Sequence, residues 1–321
     1  MNSGSNKSPN TPETNLPTRP ENMPDFIVFG AAKSGTTAFH RALSRHRQIF
    51  CTTPKEPNFF KYSGKLSRAT DLNRKLGIQT ESAYRSLFRN AGNSQVRGEA
   101  SVTYFQVDET PSRIHQSIPK VKLIAILRQP VDQAYSAWLR ARQEFSEPIE
   151  DFYAACEADS ERLFKTDWNY LETGYYARRL RMWFAFFPRD QFKIFLYEDW
   201  QQDPEGVLRE TCHFLEIPPD PSPTITRDNV TSIRTRFAWL HPLLNPSLSL
   251  RTLVHRIFPP GVRSRATRFL RRINHGQSAP LDSSVRAKLT ARYEDDITEL
   301  ETLINRDLTH WRAPRQPPSK S

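Results

Sequence analysis

The sequence lacks long apolar runs and contains few cysteines. No hydrophobic stretch approaches the roughly 20 residues that a helix needs to cross a bilayer, and the amino end lacks the charged-then-apolar layout of a signal peptide. The three cysteines, Cys51, Cys156 and Cys212, are odd in number and widely spaced, which suits neither a disulfide framework nor a zinc site. We therefore expect a cytoplasmic protein with reduced thiols.

Lysine and acidic residues are almost missing from one segment. The chain has a formal net charge of +11, and residues 227–276 contain ten arginines, no lysine and one acid, so this segment alone holds +9. Arginine forks suit phosphate, sulfate or carboxylate groups. We expect the segment to recruit an acidic acceptor or, through a basic amphipathic pattern at 262–273, to contact a membrane surface. Packing of that pattern on the core is an equal alternative, and nucleic-acid binding is disfavoured.

Length and composition indicate one α/β domain with extensions. A chain of 321 residues can bury a sizeable core. Residues 1–24 are rich in Asn, Ser, Pro and Thr and predict a disordered leader. We expect a single domain over residues 25–312, with the arginine-rich segment as an insert at about 227–276, and a disordered tail over 313–321.

Short apolar runs alternate with helical patterns. The best predicted strands are 26–29, 122–127 and 192–197, and the predicted helices are 36–45, 80–90, 131–144, 175–187, 204–215 and one closing amphipathic helix, capped by Asp282, that reaches Ile304. Strands that alternate with helices imply right-handed crossovers. We therefore expect a central, mainly parallel sheet flanked by helices.

A loop of small residues follows the first predicted strand. Residues 30–37 read Gly-Ala-Ala-Lys-Ser-Gly-Thr-Thr, which has the shape of a phosphate-binding loop before a helix. A helix N-terminus offers unpaired N–H groups and the positive end of a dipole. The Walker A motif places lysine after its second glycine, but Thr36 stands there and the lysine is Lys33. The loop is therefore expected to hold an anion without the lysine and magnesium arrangement of an NTPase.

A second polar cluster follows the strand at 122–127. Arg128 stands at the carboxyl end of that strand, where ligands bind in open α/β sheets. Pro130 can start the next helix and Ser136 lies in its second turn, so an arginine and a hydroxyl can converge on one anionic group. Alone, the pattern fits a plain helix start equally well. Paired with the loop at 30–37, it suggests two phosphate sites on one ligand.

Together the two motifs resemble the sulfotransferase family, which uses 3′-phosphoadenosine 5′-phosphosulfate (PAPS). The loop at 30–37 is similar to the family's 5′-phosphosulfate loop, and residues 128–136 are similar to its 3′-phosphate motif. The resemblance extends from about Asp25 to Trp311 and is nearest to the heparan sulfate and bacterial sulfotransferases. It implies a P-loop-like α/β fold, PAPS as co-substrate, no required metal, and transfer of the sulfuryl group to a hydroxyl acceptor such as a glycan, a glycolipid or another alcohol.

The resemblance also implies roles for individual residues. Lys33 and the amide groups of the loop would stabilise the leaving 5′-phosphate, while Arg128 and Ser136 would bind the 3′-phosphate. Residues 229–236 resemble the family's loop that closes over the nucleotide. The residues implied to bind the co-substrate are Lys33, Ser34, Gly35, Thr36, Thr37, Arg128, Ser136, Ser232 and Arg234.

Glu56 is the residue that the resemblance implies as general base. It precedes a Phe-Phe pair, as the catalytic Glu of the heparan sulfate enzymes does, although Asn58 stands where those enzymes often have histidine. A carboxylate near pH 7 is ionised and ready to accept a proton. Glu99 is the alternative base. Ala100 replaces the lysine that follows this Glu in the heparan sulfate enzymes, so a second catalytic lysine is not implied.

Two other functions are also compatible with the sequence. An ATP-dependent small-molecule kinase would also use a phosphate loop, but Thr36 at the Walker lysine position and the separate Arg128 and Ser136 site argue against it. A non-catalytic module that binds polyanions could use the same fold and the arginine-rich segment. The sequence makes no prediction of the oligomeric state.

Overall fold

Five parallel strands form the central sheet of the computed structural model, which describes residues 22–61, 78–92, 95–144, 146–162, 169–220, 233–235, 275–277 and 280–313. The strands are β1 (Phe26–Gly30), β2 (Ile49–Cys51), β3 (Val96–Ala100), β4 (Lys122–Leu127) and β5 (Phe192–Leu196). Their order is β2-β3-β1-β4-β5, so β1 lies in the middle. The predicted α/β fold with a mainly parallel sheet is confirmed.

Helices precede or follow most of these strands. The described helices are α1 (Thr36–Leu43), α2 (Glu81–Ser86), α3 (Thr110–Ser117), α4 (Pro130–Gln143), α5 (Phe152–Arg162), α6 (Tyr176–Phe184), α7 (Tyr197–Gln202), α8 (Pro204–Phe214), α9 (Ser283–Ala291), α10 (Glu294–Ile304) and α11 (Thr309–Arg312). The helices predicted between residues 36 and 215 are all present, and their ends differ from the prediction by a few residues. Within the described ranges, no helix is both long enough and apolar enough to pass through a bilayer.

β1 is buried along its whole length because the chain covers both faces of the sheet. Alternate side chains of a strand point to opposite faces. Val28 therefore packs with Phe39 of α1 on one face, while Phe29 contacts Trp183 of α6 on the other, with ring centroids 4.3 Å apart. This burial fixes the end of β1, and with it the start of the predicted phosphate loop.

Local capping sets two of the helix starts. The side chain of Asp203 accepts a hydrogen bond from the amide of Gly206 at 2.8 Å, before α8. The Asp282 side chain accepts from the amides of Ser284 and Val285 at the start of α9. Both caps were predicted from the sequence and are confirmed.

The prediction of one continuous closing amphipathic helix is wrong. The structure has α9 and α10 with a break before Glu294. The break lies at Tyr293, which is buried and donates a hydrogen bond to the carbonyl oxygen of Leu171 at 2.8 Å. A Cβ atom on Gly174 would lie 2.9 Å from the Tyr293 ring. This close packing holds the chain in a turn that periodicity alone does not show.

The sequence pattern did not predict β2 and β3. The segment Val96–Ala100 reads Val-Arg-Gly-Glu-Ala and has no apolar run, yet β3 pairs with β1 in parallel register. Gly98 is required there, because a Cβ atom would lie 2.0 Å from the Phe26 ring. Contacts with distant residues therefore make β3 a strand.

Several predictions made from the sequence concern residues outside the described ranges. They are Ser232, the amphipathic pattern at 262–273, most of the arginine-rich segment, and nearly all of the predicted leader and tail. Met23, which we assigned to the leader, is buried in the core. Arg234 lies in β6 (Ile233–Thr235), which pairs antiparallel with β7 (His275–Gln277). The backbone of β6 lies against α4.

Candidate active site

Three loops meet at the carboxyl edge of the central sheet. Lys33 follows β1 and Arg128 follows β4. The amide of Glu56 donates a hydrogen bond to the carbonyl oxygen of Ala100, the last residue of β3, at 2.9 Å. Because β3, β1 and β4 are neighbours, the predicted phosphate loop lies between the predicted 3′-phosphate motif and the predicted base. Ligands of open α/β sheets bind at this kind of position.

The residues after β4 hold the phosphate loop by its carbonyl groups. The Gln133 side-chain amide donates to the carbonyl oxygen of Ala32 at 3.3 Å, and the Arg128 guanidinium donates to that of Lys33 at 3.0 Å. In the described part of the chain, no group accepts a hydrogen bond from the amides of residues 34–37. These amides surround the start of α1, where a bound anion finds N–H donors and the positive end of the helix dipole.

Gly35 is required by a close approach in this loop. Its φ is +80°, in the left-handed region that favours glycine. A Cβ atom here would lie 3.0 Å from the ring of Tyr197, at the start of α7. The same ring lies under the Arg128 guanidinium, 4.6 Å from its centroid. The Tyr197 ring therefore packs against both Gly35 and Arg128, a position that its sequence context did not reveal.

The side-chain hydroxyl of Ser34 is buried and unpaired among the described residues. The residue is fully buried, and its Oγ has no hydrogen-bond partner among the residues that the structure describes. Buried hydroxyl groups are nearly always paired, because a lost hydrogen bond in the interior is costly. A phosphate or sulfonate oxygen would supply the missing partner, so the loop fits the anionic group that its sequence implied.

The loop also contains a concentrated positive charge. The pKa of Lys33 is lowered to about 8, mainly by burial and to a smaller extent by the charges of Arg140 and Arg128. Neither Lys33 nor Arg128 forms an ion pair with another described residue. Neighbouring cations repel one another, and the charge of Glu144 offsets only part of this effect on Lys33. A bound polyanion would relieve that repulsion.

Arg140 is a site residue that the sequence reasoning missed. It lies four residues after Ser136 on α4, and residues at this spacing share a helix face. This spacing is the signal that could have identified it. Arg140 is exposed and pairs with Glu144 at 2.5 Å. Its charge nevertheless acts on Lys33, so it lies at the border of the cationic cluster.

The remaining predicted binding residues have different environments. Thr36 is buried at the start of α1, whereas Thr37 is exposed. Ser136 is half-buried on α4. The strand that contains Arg234 lies beside this helix, so the backbone brings β6 near the predicted 3′-phosphate motif.

Glu56 lies in a loop with an unusual backbone. Glu56 and Asn58 have φ values of 67° and 53°, a region that non-glycine residues rarely adopt. The Glu56 side chain is 30 % exposed and pairs with Lys55 at 2.5 Å. The Glu56 carboxylate is thus partly open to solvent, and its amide is bonded to the carboxyl end of β3.

Comparison with known proteins identifies the family. The family model described as "Sulfotransferase domain" matches residues 23–281. The chain belongs to the sulfotransferase domain family. This assignment confirms the resemblance drawn from the two phosphate motifs.

Relatives of this sulfotransferase domain include two mouse proteins. The first, "Bifunctional heparan sulfate N-deacetylase/N-sulfotransferase 4", is 26 % identical over 302 residues, which cover 89 % of this chain and 30 % of the relative. The second, "Heparan sulfate glucosamine 3-O-sulfotransferase 3B1", is 29 % identical over 196 residues, covering 61 % of this chain and 46 % of the relative. The chain thus spans less than half the length of either relative.

A solved bacterial structure shares the fold over nearly the whole sulfotransferase domain. It is the sulfotransferase from Alicyclobacillus acidocaldarius, with a TM-score of 0.69 and 28 % sequence identity. The similarity covers 91 % of this chain and 99 % of that chain. The P-loop-like α/β fold that we predicted is therefore confirmed.

Glu99 lies behind the Glu56 loop of the sulfotransferase domain. It is 0 % exposed, and its carboxylate accepts hydrogen bonds from the hydroxyls of Tyr84, Tyr104 and Ser101 at 2.6, 3.0 and 2.7 Å. Burial raises the pKa of Glu99 to about 7, against the lowering effect of these three bonds. An enclosed carboxylate with three donors cannot meet an acceptor molecule in this conformation, which favours Glu56 over Glu99 as the base.

The described part of the sulfotransferase domain has a further groove away from this site. Within the described ranges, no group of three or more His, Cys, Asp or Glu side chains could hold a metal ion. A groove between α1 and α8 is lined by residues including Arg45, His46, Arg209 and Cys212. It contains none of the predicted site residues.

Proposed function

We propose that this chain transfers the sulfuryl group of PAPS to a hydroxyl group of an acceptor. The observation that carries the proposal is the buried Ser34 Oγ without a described partner, next to Lys33 in a loop whose amides are available. Together they form a site for an oxyanion. Membership of the sulfotransferase domain family indicates which oxyanion it is.

The loop would act on the leaving group. Lys33 and the amides of residues 34–37 would bind the 5′-phosphate and the sulfonate. PAPS supplies a sulfur bonded to a good leaving group. In the transfer, the acceptor oxygen forms a bond to sulfur, and the bond from sulfur to the 5′-phosphate oxygen breaks with its electron pair left on the phosphate. Lys33 and the amides would stabilise that charge where it develops, and such preorganised donors are a large part of catalysis.

The residues after β4 would bind the 3′-phosphate. Arg128 is held by the Lys33 carbonyl group and by the Tyr197 ring, so its remaining N–H groups are preorganised. Ser136 on α4 would donate its hydroxyl. Ser232 and Arg234 complete our proposal, supported for Arg234 by the position of the β6 backbone beside α4. A second phosphate site of this kind would distinguish PAPS from ATP.

Glu56 would act on the acceptor. Its carboxylate would take the proton of the acceptor hydroxyl as the new bond to sulfur forms, which balances the transfer. The loop carries the charges of Lys33 and Arg128, and residues 227–276 hold a net charge of +9. We therefore propose an acceptor that carries acidic groups, such as an acidic glycan or a lipid head group, with the arginine-rich segment as a further contact to it or to a membrane surface.

A transfer assay with radiolabelled PAPS tests the proposal. The acceptor panel would contain simple alcohols, neutral glycans, acidic glycans and an amine, with release of 3′,5′-ADP as the second readout. We expect label on a hydroxyl, and competition by 3′,5′-ADP but not by ATP. Label on the amine alone would exclude hydroxyl transfer. Equal or tighter binding of ATP would indicate a kinase, and nucleotide binding without turnover on any acceptor would indicate a binding module.

A further inference from the structure

We propose that Glu99 is a positioning residue that holds the loop of the catalytic base from behind. The inference rests on the proposed role of Glu56 and extends it. The buried Glu99 carboxylate orients two hydroxyl groups, and each of these accepts the amide proton of a loop residue. The carboxylate thus fixes the Glu56 loop without touching the acceptor.

The first connection runs through Ser101. Its Oγ donates to Glu99 Oε2 at 2.7 Å and accepts from the amide of Asn58 at 3.1 Å. The hydroxyl has one proton, so it can accept from Asn58 in this geometry only while that proton points elsewhere. Glu99 provides the acceptor that keeps it there.

The second connection runs through Tyr104 in the same way. Its hydroxyl donates to Glu99 Oε1 at 3.0 Å and accepts from the amide of Phe60 at 3.2 Å. Both amides belong to the segment directly after Glu56. One carboxylate therefore sets the direction of both hydroxyl protons that face this segment.

Ring packing extends the same support. Tyr84 donates to Glu99 Oε1 at 2.6 Å, and its ring stacks on Phe59, with centroids 4.4 Å apart and an interplanar angle of 12°. The Glu56 loop is thus connected to the Glu99 carboxylate by two amides and one ring. None of these three connections is readable from sequence spacing.

The loop needs this support because of its backbone. Glu56 and Asn58 both have positive φ, and such conformations persist only where the surroundings impose them. The Glu56 amide is held by the sheet directly, through Ala100. The Asn58 and Phe60 amides depend on the hydroxyl groups that Glu99 orients, so loss of the carboxylate would weaken these two supports. The loop would keep its other contacts, among them those of Thr103 with the Asn58 side chain and of Arg113 with the Phe60 carbonyl oxygen.

Hydrogen exchange of the loop amides tests the proposal without any activity readout. Glu99→Gln replaces one acceptor oxygen by an NH₂ group, which is a donor. At least one of the three hydroxyl groups that donate to Glu99 must then rotate away. At a pH above about 7, where Glu99 is ionised, we expect exchange of the Asn58 and Phe60 amides to accelerate by on the order of tenfold or more. Glu147→Gln is the matched control, because Glu147 is also buried and also accepts a tyrosine hydroxyl, from Tyr170 at 3.0 Å. Acceleration that is no larger than in the control overturns the proposal.

Two milder variants test the two hydroxyl connections separately if Glu99→Gln does not fold. Ser101→Ala removes the acceptor of the Asn58 amide, and Tyr104→Phe removes the acceptor of the Phe60 amide. Each variant is expected to accelerate exchange mainly at its own amide. Unchanged protection of both amides would overturn the proposal.

A kinetic cycle separates positioning from general damage. We expect Glu99→Gln to lower kcat on the order of 10-fold to 100-fold, as small misplacements of catalytic groups do, with an unchanged Kd for 3′,5′-ADP. In the double variant Glu99→Gln with Glu56→Gln, the loss of kcat should equal that of Glu56→Gln alone, because Glu99 is proposed to act only through Glu56. Additive losses overturn the proposal. If the wild-type protein transfers no sulfuryl group, the proposed function fails, and the exchange data still decide the role of Glu99.

Discussion

The Arg128 guanidinium donates a hydrogen bond to the carbonyl oxygen of Lys33 at 3.0 Å. Arg128 follows β4 and Lys33 follows β1, so this bond joins the two proposed phosphate sites. Gln133 adds a second connection through Ala32. The two sites are therefore expected to respond together when either is altered.

Arg128→Lys tests this connection. Lysine keeps the charge but lacks the planar fork, so it cannot serve the loop and a phosphate at once. We expect affinity for 3′,5′-ADP to fall by about 10-fold to 100-fold, in line with lost charge-assisted bonds. Affinity for 5′-AMP should also fall, although it has no 3′-phosphate. Calorimetric titration with both nucleotides gives the result.

The control for Arg128→Lys is Arg179→Lys, because Arg179 also donates to a backbone carbonyl, that of Gln106 at 2.9 Å, away from the site. This control should leave both affinities unchanged. If Arg128→Lys weakens 3′,5′-ADP but leaves 5′-AMP unaffected, Arg128 serves the 3′-phosphate only and the coupling is absent.

Lys33→Ala is expected to act on turnover. The substitution removes a preorganised cation next to the leaving phosphate, and loss of one such donor typically costs about 10²–10³ in rate. Acceptor affinity should change little. Single-turnover transfer of label from PAPS measures the step. A control is Lys193→Ala, whose ammonium pairs with Glu210 on another part of the sheet. An unchanged rate for Lys33→Ala would remove this residue from the site.

Nucleotide binding should depend on the protonation of Lys33. Burial lowers the pKa of Lys33 to about 8, so the ammonium loses its proton as the pH rises through that value. We expect affinity for 3′,5′-ADP to weaken between about pH 7 and about pH 9, because a neutral amine does not attract phosphate. Isothermal titrations across this range measure the effect, and Lys33→Met should flatten the profile.

Arg140→Gln is expected to shift the pH dependence of 3′,5′-ADP binding. The charge of Arg140 disfavours the charged form of Lys33, so its removal should let Lys33 keep its proton to higher pH. The midpoint of the binding profile is expected to move upward. A midpoint that stays in place would show that Arg140 does not act on the loop.

The sequence predicted those parts of the site that depend on local chain order. The strands before Lys33 and Arg128 are apolar runs, and each is followed directly by a residue that we propose to bind phosphate, so strand and candidate site could be inferred together. The caps Asp203 and Asp282 were also found, because a cap and its helix are adjacent in the chain.

The rest of the site depends on distant partners. β3 contains Glu99, whose burial becomes tolerable only through hydroxyl groups supplied by other elements, Tyr84 among them. Its Gly98 is explained by the ring of Phe26 from another strand. The break before α10 depends on Tyr293 and its bond to Leu171. No local propensity encodes these contacts, so periodicity could not show them.

Glu56→Gln is expected to separate chemistry from binding. The amide keeps the shape of the side chain but cannot accept the acceptor proton, so kcat should fall by about 10²–10⁴. The Kd for 3′,5′-ADP should stay within about twofold, because the proposed nucleotide contacts are on other loops. Glu81→Gln, an exposed acid paired with Arg85, is the control. Near-normal turnover of Glu56→Gln would move the base elsewhere.

The buried Glu99 should leave a signature in the pH dependence of stability. Its pKa is raised to about 7 in the folded protein, whereas an unfolded Glu ionises near pH 4.3. The folded state therefore holds a proton that the unfolded state has lost, and the stability that this proton contributes disappears as the pH rises through about 7. Glu99→Gln lacks this titration. We expect Tm of the wild-type protein to fall relative to that of the variant between about pH 5 and about pH 8, as measured by calorimetry. The comparison cancels the other titrating groups, so parallel profiles would mean that Glu99 is ionised in the fold throughout this range.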